Sequence, residues 1–116
     1  ATPTPKPRAA VRLVRGAFRG ADDHATSGTA TVVRLADGRR RLTFTGFESD
    51  GGVDVRVYLV AGDGRDVSDH VELGRLKGEA GDQQYTIPAD VDLSRYGTVV
   101  LWCVPFTVRV GVAPLS

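Results

Sequence analysis

The sequence predicts an all-β domain, an antiparallel β-sandwich or partly closed barrel of about seven to ten short strands. Three observations carry this expectation. The longest apolar run, Thr98 to Val110, is rich in β-branched and aromatic residues and is interrupted by Pro105. It therefore reads as a strand buried on both faces followed by a second strand, because a helix would fail at the proline. Short segments of alternating polarity recur along the chain, and Gly, Pro and Asp clusters separate them at regular intervals.

Taken in order, Ala1 to Ala10 opens with Thr-Pro-Thr-Pro-Lys-Pro-Arg, a polar, Pro-rich stretch of polyproline type that is expected to be a disordered tether. Residues 11–116 then form a single domain. Val11 to Phe18 alternates as a half-buried strand up to Gly20, and Asp22 to Gly28 is expected to be a turn. Thr29 to Leu35 and Arg40 to Phe44 flank Asp37-Gly38, the strongest hairpin signal in the chain. Phe44 and Phe47 supply large apolar area and belong in the core. The acidic loop Glu48 to Gly52 leads into Val53 to Val60, where Val53, Val55, Val57 and Leu59 share one face. Residues 61 to 70 read as a polar surface loop, Val71 to Leu76 as a short strand, and Gln83 to Ile87 as a strand stopped by Pro88. Asp90 to Tyr96 suits a single helical turn capped by Asp90 or Asp92. In the apolar run, Val99, Leu101 and Cys103 point one way and Val100, Trp102 and Val104 the other. Phe106 to Val112 completes the sheet, with Val108, Val110 and Val112 on one face.

With 116 residues and 41% hydrophobic side chains, the chain is long enough for a core without a metal or disulfide staple. Its single Cys excludes an internal disulfide. The 15 basic and 14 acidic side chains nearly balance, which points away from nucleic acid as a partner. Lys6, Arg8, Arg12, Arg15 and Arg19 gather at the leading edge, so the rest of the domain is mildly acidic. No apolar segment approaches the roughly 20 residues that cross a bilayer. The Pro-rich opening is the kind of spacer that follows an export signal or membrane anchor, and an upstream segment of that sort is expected.

Few residue groupings point to chemistry. Asp63 to Glu72 is acidic but lacks the alternating oxygen ligands and central Gly of a calcium loop. Asp22, His24 and Ser27 are the residue types of a hydrolase triad, yet they lie in one turn, where such side chains cap the backbone. His24, His70 and Cys103 are the ligand types of blue copper, but no His or Met follows the Cys. Zinc lacks a fourth ligand at a usual spacing, so no metal is assigned. Covalent haem is excluded by the single Cys, whereas thiolate ligation of a non-covalent haem is not.

Gly16-x-Phe18, His24-x-x-Ser27-Gly28, the Asp37-Gly38 hairpin ending in Phe47, Val57-Tyr58-Leu59, Leu73-Gly74-x-Leu76-Lys77-Gly78, Gly81-x-Gln83-x-Tyr85-x-Ile87-Pro88 and Val100-x-Trp102-Cys103-x-x-Phe106 occur in this order. Together they resemble the electron-transfer DM-thirteen domain, over nearly all of residues 11 to 115. The resemblance implies an extracellular or cell-envelope β domain, often found beside DOMON and cytochrome-type domains and acting in redox modification of surface proteins. It implies that Cys103, which matches the family's near-constant cysteine, acts as a free thiol or as ligand to haem or another redox group, with Trp102 beside it. His24 matches the histidine of the family's His-x-x-Ser-Gly turn. The chain departs from the family at Gly52-Val53-Asp54, where Gly-Pro-Asp is frequent, a change of turn rigidity more than of chemistry.

Two functions follow. In the first, Cys103 is the reactive centre of a redox or electron-transfer accessory domain that serves a redox or envelope protein partner, and it requires an accessible sulfur with a cationic or hydrogen-bonding neighbour. His24 is the expected neighbour, the two lining one pocket at a rim of the sandwich. In the second, the domain binds protein, glycan or ligand without catalysis and Cys103 fills core volume.

Overall fold

The computed structural model describes residues 10–116, which hold nine strands and no helix. The expected tether thus lies, except for Ala10, outside the described residues. The strands are β1 (Val11–Ala17), β2 (Arg19–Gly20), β3 (Thr26–Arg34), β4 (Arg40–Ser49), β5 (Val55–Val60), β6 (His70–Arg75), β7 (Gln83–Ile87), β8 (Thr98–Cys103) and β9 (Val108–Pro114). They form two antiparallel sheets packed face to face and not closed into a barrel. One sheet has the order β1-β3-β4-β7 and the other β2-β9-β8-β5-β6.

The apolar run does what its composition requires. β8 lies in the middle of the five-stranded sheet, between β9 and β5, and Pro105 falls in the turn that separates β8 from β9. Val99, Leu101 and Cys103 face the inter-sheet core, while Val100 packs on the outer face with Tyr58, Val60 and Val112. The inter-sheet core centres on an aromatic group. Phe18 meets Phe44 and Phe47 edge-on at centroid separations of 4.8 and 5.3 Å, and Tyr85 lies 5.2 Å from Phe44. Burying such rings contributes about 1.5–3 kcal/mol each relative to exposure, which makes this group a main source of cohesion.

Several sequence expectations are corrected. The first strand is not continuous: the chain leaves the four-stranded sheet after Ala17, buries Phe18 between the sheets, and continues as β2 on the edge of the other sheet. The Asp22 to Gly28 turn is shorter than expected because Thr26, Ser27 and Gly28 already belong to β3, where Thr26 pairs with Ser49. A bulge there sets Gly46 and Phe47 of β4 opposite Gly28 alone, and the positive φ of Gly46 (58°) and Gly28 (112°) supplies the conformation that it needs. Val53 is not on the β5 face. It precedes the strand and is 58% exposed. Val112 does not share a face with Val108 and Val110, because a bulge opposite Leu101 and Trp102 turns the far half of β9 over. The polar loop before β6 is not wholly solvated, since Val67 covers the outer apolar group and Gly64 lies against Thr98 and Val100. Asp92 caps a single turn, its carbonyl accepting the N–H groups of Arg95 and Tyr96.

Candidate active site

Strand polarity brings four connections to one end of the sandwich: residues 21–25, 50–54, 76–82 and 104–107. Cys103, the last residue of β8, lies beneath them. All four non-Gly residues with positive φ among the described residues are also here, namely Asp22, Asp23, Asp54 and Thr107 at 49–67°. Such conformations cost on the order of 1 kcal/mol each and concentrate where structure serves a site. Thr107 is the most telling, since a β-branched side chain is poorly suited to that region. Among the described residues three of the four exposed large apolar side chains, Val53, Val104 and Phe106, lie at this end as well.

Cys103 is 1% exposed and its side chain belongs to the inter-sheet core. Its thiol donates a hydrogen bond to the Val53 carbonyl at 3.0 Å. That bond uses the S–H proton, so a thiolate cannot make it. The cover over the sulfur is the loop between β4 and β5. A Cβ placed on Gly52 would lie 3.4 Å from the sulfur and 3.1 Å from a Val55 methyl, so one glycine's thickness separates the thiol from the surface.

The loop is fixed at its ends and free in its middle. At the start, the Asp50 N–H donates to the Ala25 carbonyl, one Asp50 carboxylate oxygen accepts the Ala25 N–H at 3.1 Å, and the other meets His24 Nδ1 at 3.1 Å. Burial works against ionisation of Asp50, but the Ala25 amide and His24 outweigh it and hold the carboxyl below its ordinary range. At the far end the Asp54 carbonyl accepts the Val104 N–H, and the Asp54 carboxylate takes Arg56 at 2.8 and 3.3 Å. Arg56 accordingly holds the Asp54 carboxyl below its ordinary pKa, as Arg109 does that of Asp22 through direct hydrogen bonds. Between these anchors the Gly51 N–H donates to the Ser49 hydroxyl at 3.0 Å, the amides of Gly52 and Val53 have no hydrogen-bond acceptor among the described residues, and the Cys103 thiol is the one group that bonds to Gly52 or Val53.

On the outer side of the same loop is a cleft of about 430 Å³, with Gly51, Gly52 and Asp54 on one wall and Arg75, Gly78 and Glu79 on the other. The second wall is braced from within. Lys77 N–H donates to the Tyr85 hydroxyl, that hydroxyl donates to Gln83, and the Gln83 amide donates to the Gly78 and Gly81 carbonyls. One rigid wall therefore faces one wall held by a single weak bond at its centre.

His24 and Cys103 are not bonded to each other. Each bonds to the 50–54 loop, His24 to its first residue and Cys103 to its fourth. Trp102 lies on the opposite face of β8 from Cys103, half-buried in the outer apolar group and 6.4 Å from the Tyr58 ring, which in turn stacks on His70 at 3.9 Å. Sequence reasoning missed the roles of Asp50, Val53, Arg75 and Glu79. The Gly51-Gly52 pair was the available signal, since adjacent glycines mark a place where backbone passes close to something else.

The packing does not fit a haem on Cys103. The residue is 1% exposed within the inter-sheet core, a Cβ on Gly52 would lie 3.4 Å from the sulfur, the Val53 carbonyl occupies its polar direction, and the cleft lies beyond the loop. Among the described residues no three His, Cys, Asp or Glu side chains are grouped to hold a metal ion.

A family model described as electron transfer DM13 matches residues 17–115. No curated protein and no solved structure matches the chain. The match runs from the last residue of β1 to the end of the sheet framework, and it carries an electron-transfer-related role; the chain belongs to the DM13 electron-transfer family.

Proposed function

We propose that Cys103 carries this role as a covered thiol, and that the domain works outside the cell or in the cell envelope on a redox or envelope protein partner. The observation that supports it is the thiol's bond to Val53, the one tie on the middle of the covering loop. Outward movement of Gly52 and Val53 breaks that weak bond and uncovers the sulfur, while the anchors at Asp50 and Asp54 stay in place. His24 acts at a distance, by holding Asp50 and so the hinge of the cover.

The chemistry available to one thiol is exchange with a disulfide. The uncovered thiol loses its proton to solvent, the thiolate attacks one sulfur of a partner's disulfide, and that S–S bond breaks. A mixed disulfide to Cys103 forms and the partner's second sulfur leaves as a thiolate. The reverse attack, or attack by another thiol, returns Cys103. Disulfides persist in oxidising compartments, and such a setting suits this chemistry.

A second reading rests on the 1% exposure of Cys103 and its place in the core. In it the cysteine is packing and the domain binds without redox chemistry. Dithiodipyridine separates the two, because each exchange releases a coloured thione. One thione per native chain, and none from Cys103→Ser, is the result expected for a covered redox thiol. Release that begins only when the protein is unfolded supports the packed cysteine instead.

A further inference from the structure

The cleft outside the loop carries two opposite charges, one held only by a long ion pair and the other by none among the described residues. The Arg75 side chain is 77% exposed, and its nearest carboxylate, that of Asp54, is 3.8 Å away and already bonded twice to Arg56. The Glu79 carboxylate has no ion pair or hydrogen bond among the described residues. It rests against Gly51, so close that a Cβ there would overlap it. Arg75 and Glu79 line the same cleft and do not close on each other. A positive and a negative group held apart along one wall of a cleft of ligand size complement a molecule with a carboxylate at one point and an ammonium at another.

We infer that this cleft binds a zwitterionic amino acid or short peptide, with Arg75 taking the carboxylate and Glu79 the ammonium, and that the disulfide form of such a molecule is the small substrate of Cys103. The second half rests on the proposed role of Cys103; the binding does not. Drawing Glu79 toward the ammonium lifts it from Gly51, which frees the cover whose underside is the sulfur. The thiolate of Cys103 then attacks one sulfur of the bound disulfide, the S–S bond breaks, and one half departs as a free thiol after taking a proton from water. The other half stays as a mixed disulfide, so the bound molecule is the oxidant and no other is needed.

Three disulfides that differ in charge test this: cystine, with zwitterionic ends, cystamine, with cationic ends, and the neutral hydroxyethyl disulfide. Each rate of mixed-disulfide formation is divided by the rate with the urea-unfolded chain, which removes intrinsic reactivity. Cystine should exceed both others by about tenfold and saturate with concentration. Arg75→Gln and Glu79→Gln should each remove about that factor for cystine when its rate is divided by that of hydroxyethyl disulfide with the same variant. Lanthionine, which keeps both zwitterionic ends but has no S–S bond, should bind the native protein and not Arg75→Gln, as read by shifts of the Gly51 and Gly52 amide resonances. If lanthionine does not bind and cystine reacts no faster than the neutral reagent, the cleft assignment is overturned and the thiol reading survives. Binding of lanthionine with no reaction of any disulfide would support the cleft and overturn its use by Cys103.

Discussion

Replacing Cys103 by alanine removes one sulfur atom from a site that is 1% exposed. Cys103 belongs to the same core cluster as Val55 and Val110, with the Gly52 backbone and the Val53 carbonyl beside the sulfur. Losing a buried atom of methylene size forfeits about 0.8 kcal/mol of transfer free energy. The void adds about 0.5 kcal/mol where neighbours relax only partly. The thiol bond to Val53 adds little, because S–H is a weak donor and the exposed loop lets water reach that carbonyl. Cys103→Ala should therefore lose about 1–2 kcal/mol, which lowers the Tm by on the order of 5 °C for a chain of this size. Urea unfolding followed by Trp102 fluorescence checks this, with an unchanged m-value expected, since the surface exposed on unfolding is nearly the same. Cys103→Ser should cost at least as much, because it buries a hydroxyl in the same apolar core. An alanine variant as stable as the native protein would refute the tight packing at the sulfur and the loop's role as a cover.

Other consequences can be measured directly. His24→Ala removes one anchor of Asp50 and should speed native-state labelling of Cys103 several-fold while changing global stability by less than about 1 kcal/mol; unchanged labelling would detach His24 from the loop. The lowered pKa values of Asp22, Asp50 and Asp54 imply a pH dependence of definite sign. The unfolded chain takes up protons at these groups first as pH falls, so the Tm should hold steady down to about pH 5 and drop below about pH 4. Asp22→Asn should be less stable near neutrality and show a smaller acid drop, and an equal drop would contradict the Arg109 pairing. Thr107→Gly should stabilise the protein by roughly 0.5–1 kcal/mol, because relief of the left-handed conformation exceeds the added chain entropy. Gly28→Ala should cost about 2–4 kcal/mol by denaturant titration, since its Cβ would meet the Phe47 backbone at 2.8 Å at a positive φ.

Local chemistry was legible wherever it acts within a few residues. Asp37-Gly38 made the hairpin, Pro105 divided β8 from β9, and uninterrupted apolar character put β8 at the centre of its sheet. What alternation cannot show is pairing at a distance. Nothing in Ala17-Phe18-Arg19 says that the chain changes sheets there, because a single apolar residue between polar neighbours fits either strand. The bulges at Gly28 and before Trp102 shift side chains from one face to the other, and period-two reading assumes that no such shift occurs. At the site, Cys103 and His24 could be singled out from the family resemblance, but the loop that lies between them could not. His24 and Asp50 are 26 residues apart, and their meeting depends on the Thr26 and Ser49 pairing of β3 with β4. Arg75 and Glu79 looked like ordinary surface charges, and only their shared place in one cleft distinguishes them.

The central claim is that the sulfur of Cys103 is reached by local movement of residues 50–54 and not by unfolding of the sandwich. The rate of dithiodipyridine labelling as a function of urea tests it most directly, because local openings expose little surface and respond weakly to denaturant, whereas global unfolding responds with the full m-value. Labelling at low urea should be independent of urea and faster than the global unfolding equilibrium allows, joining the steep global line only near the midpoint. A steep line from zero urea upward, matching the global unfolding free energy throughout, would contradict it and leave Cys103 as a core residue.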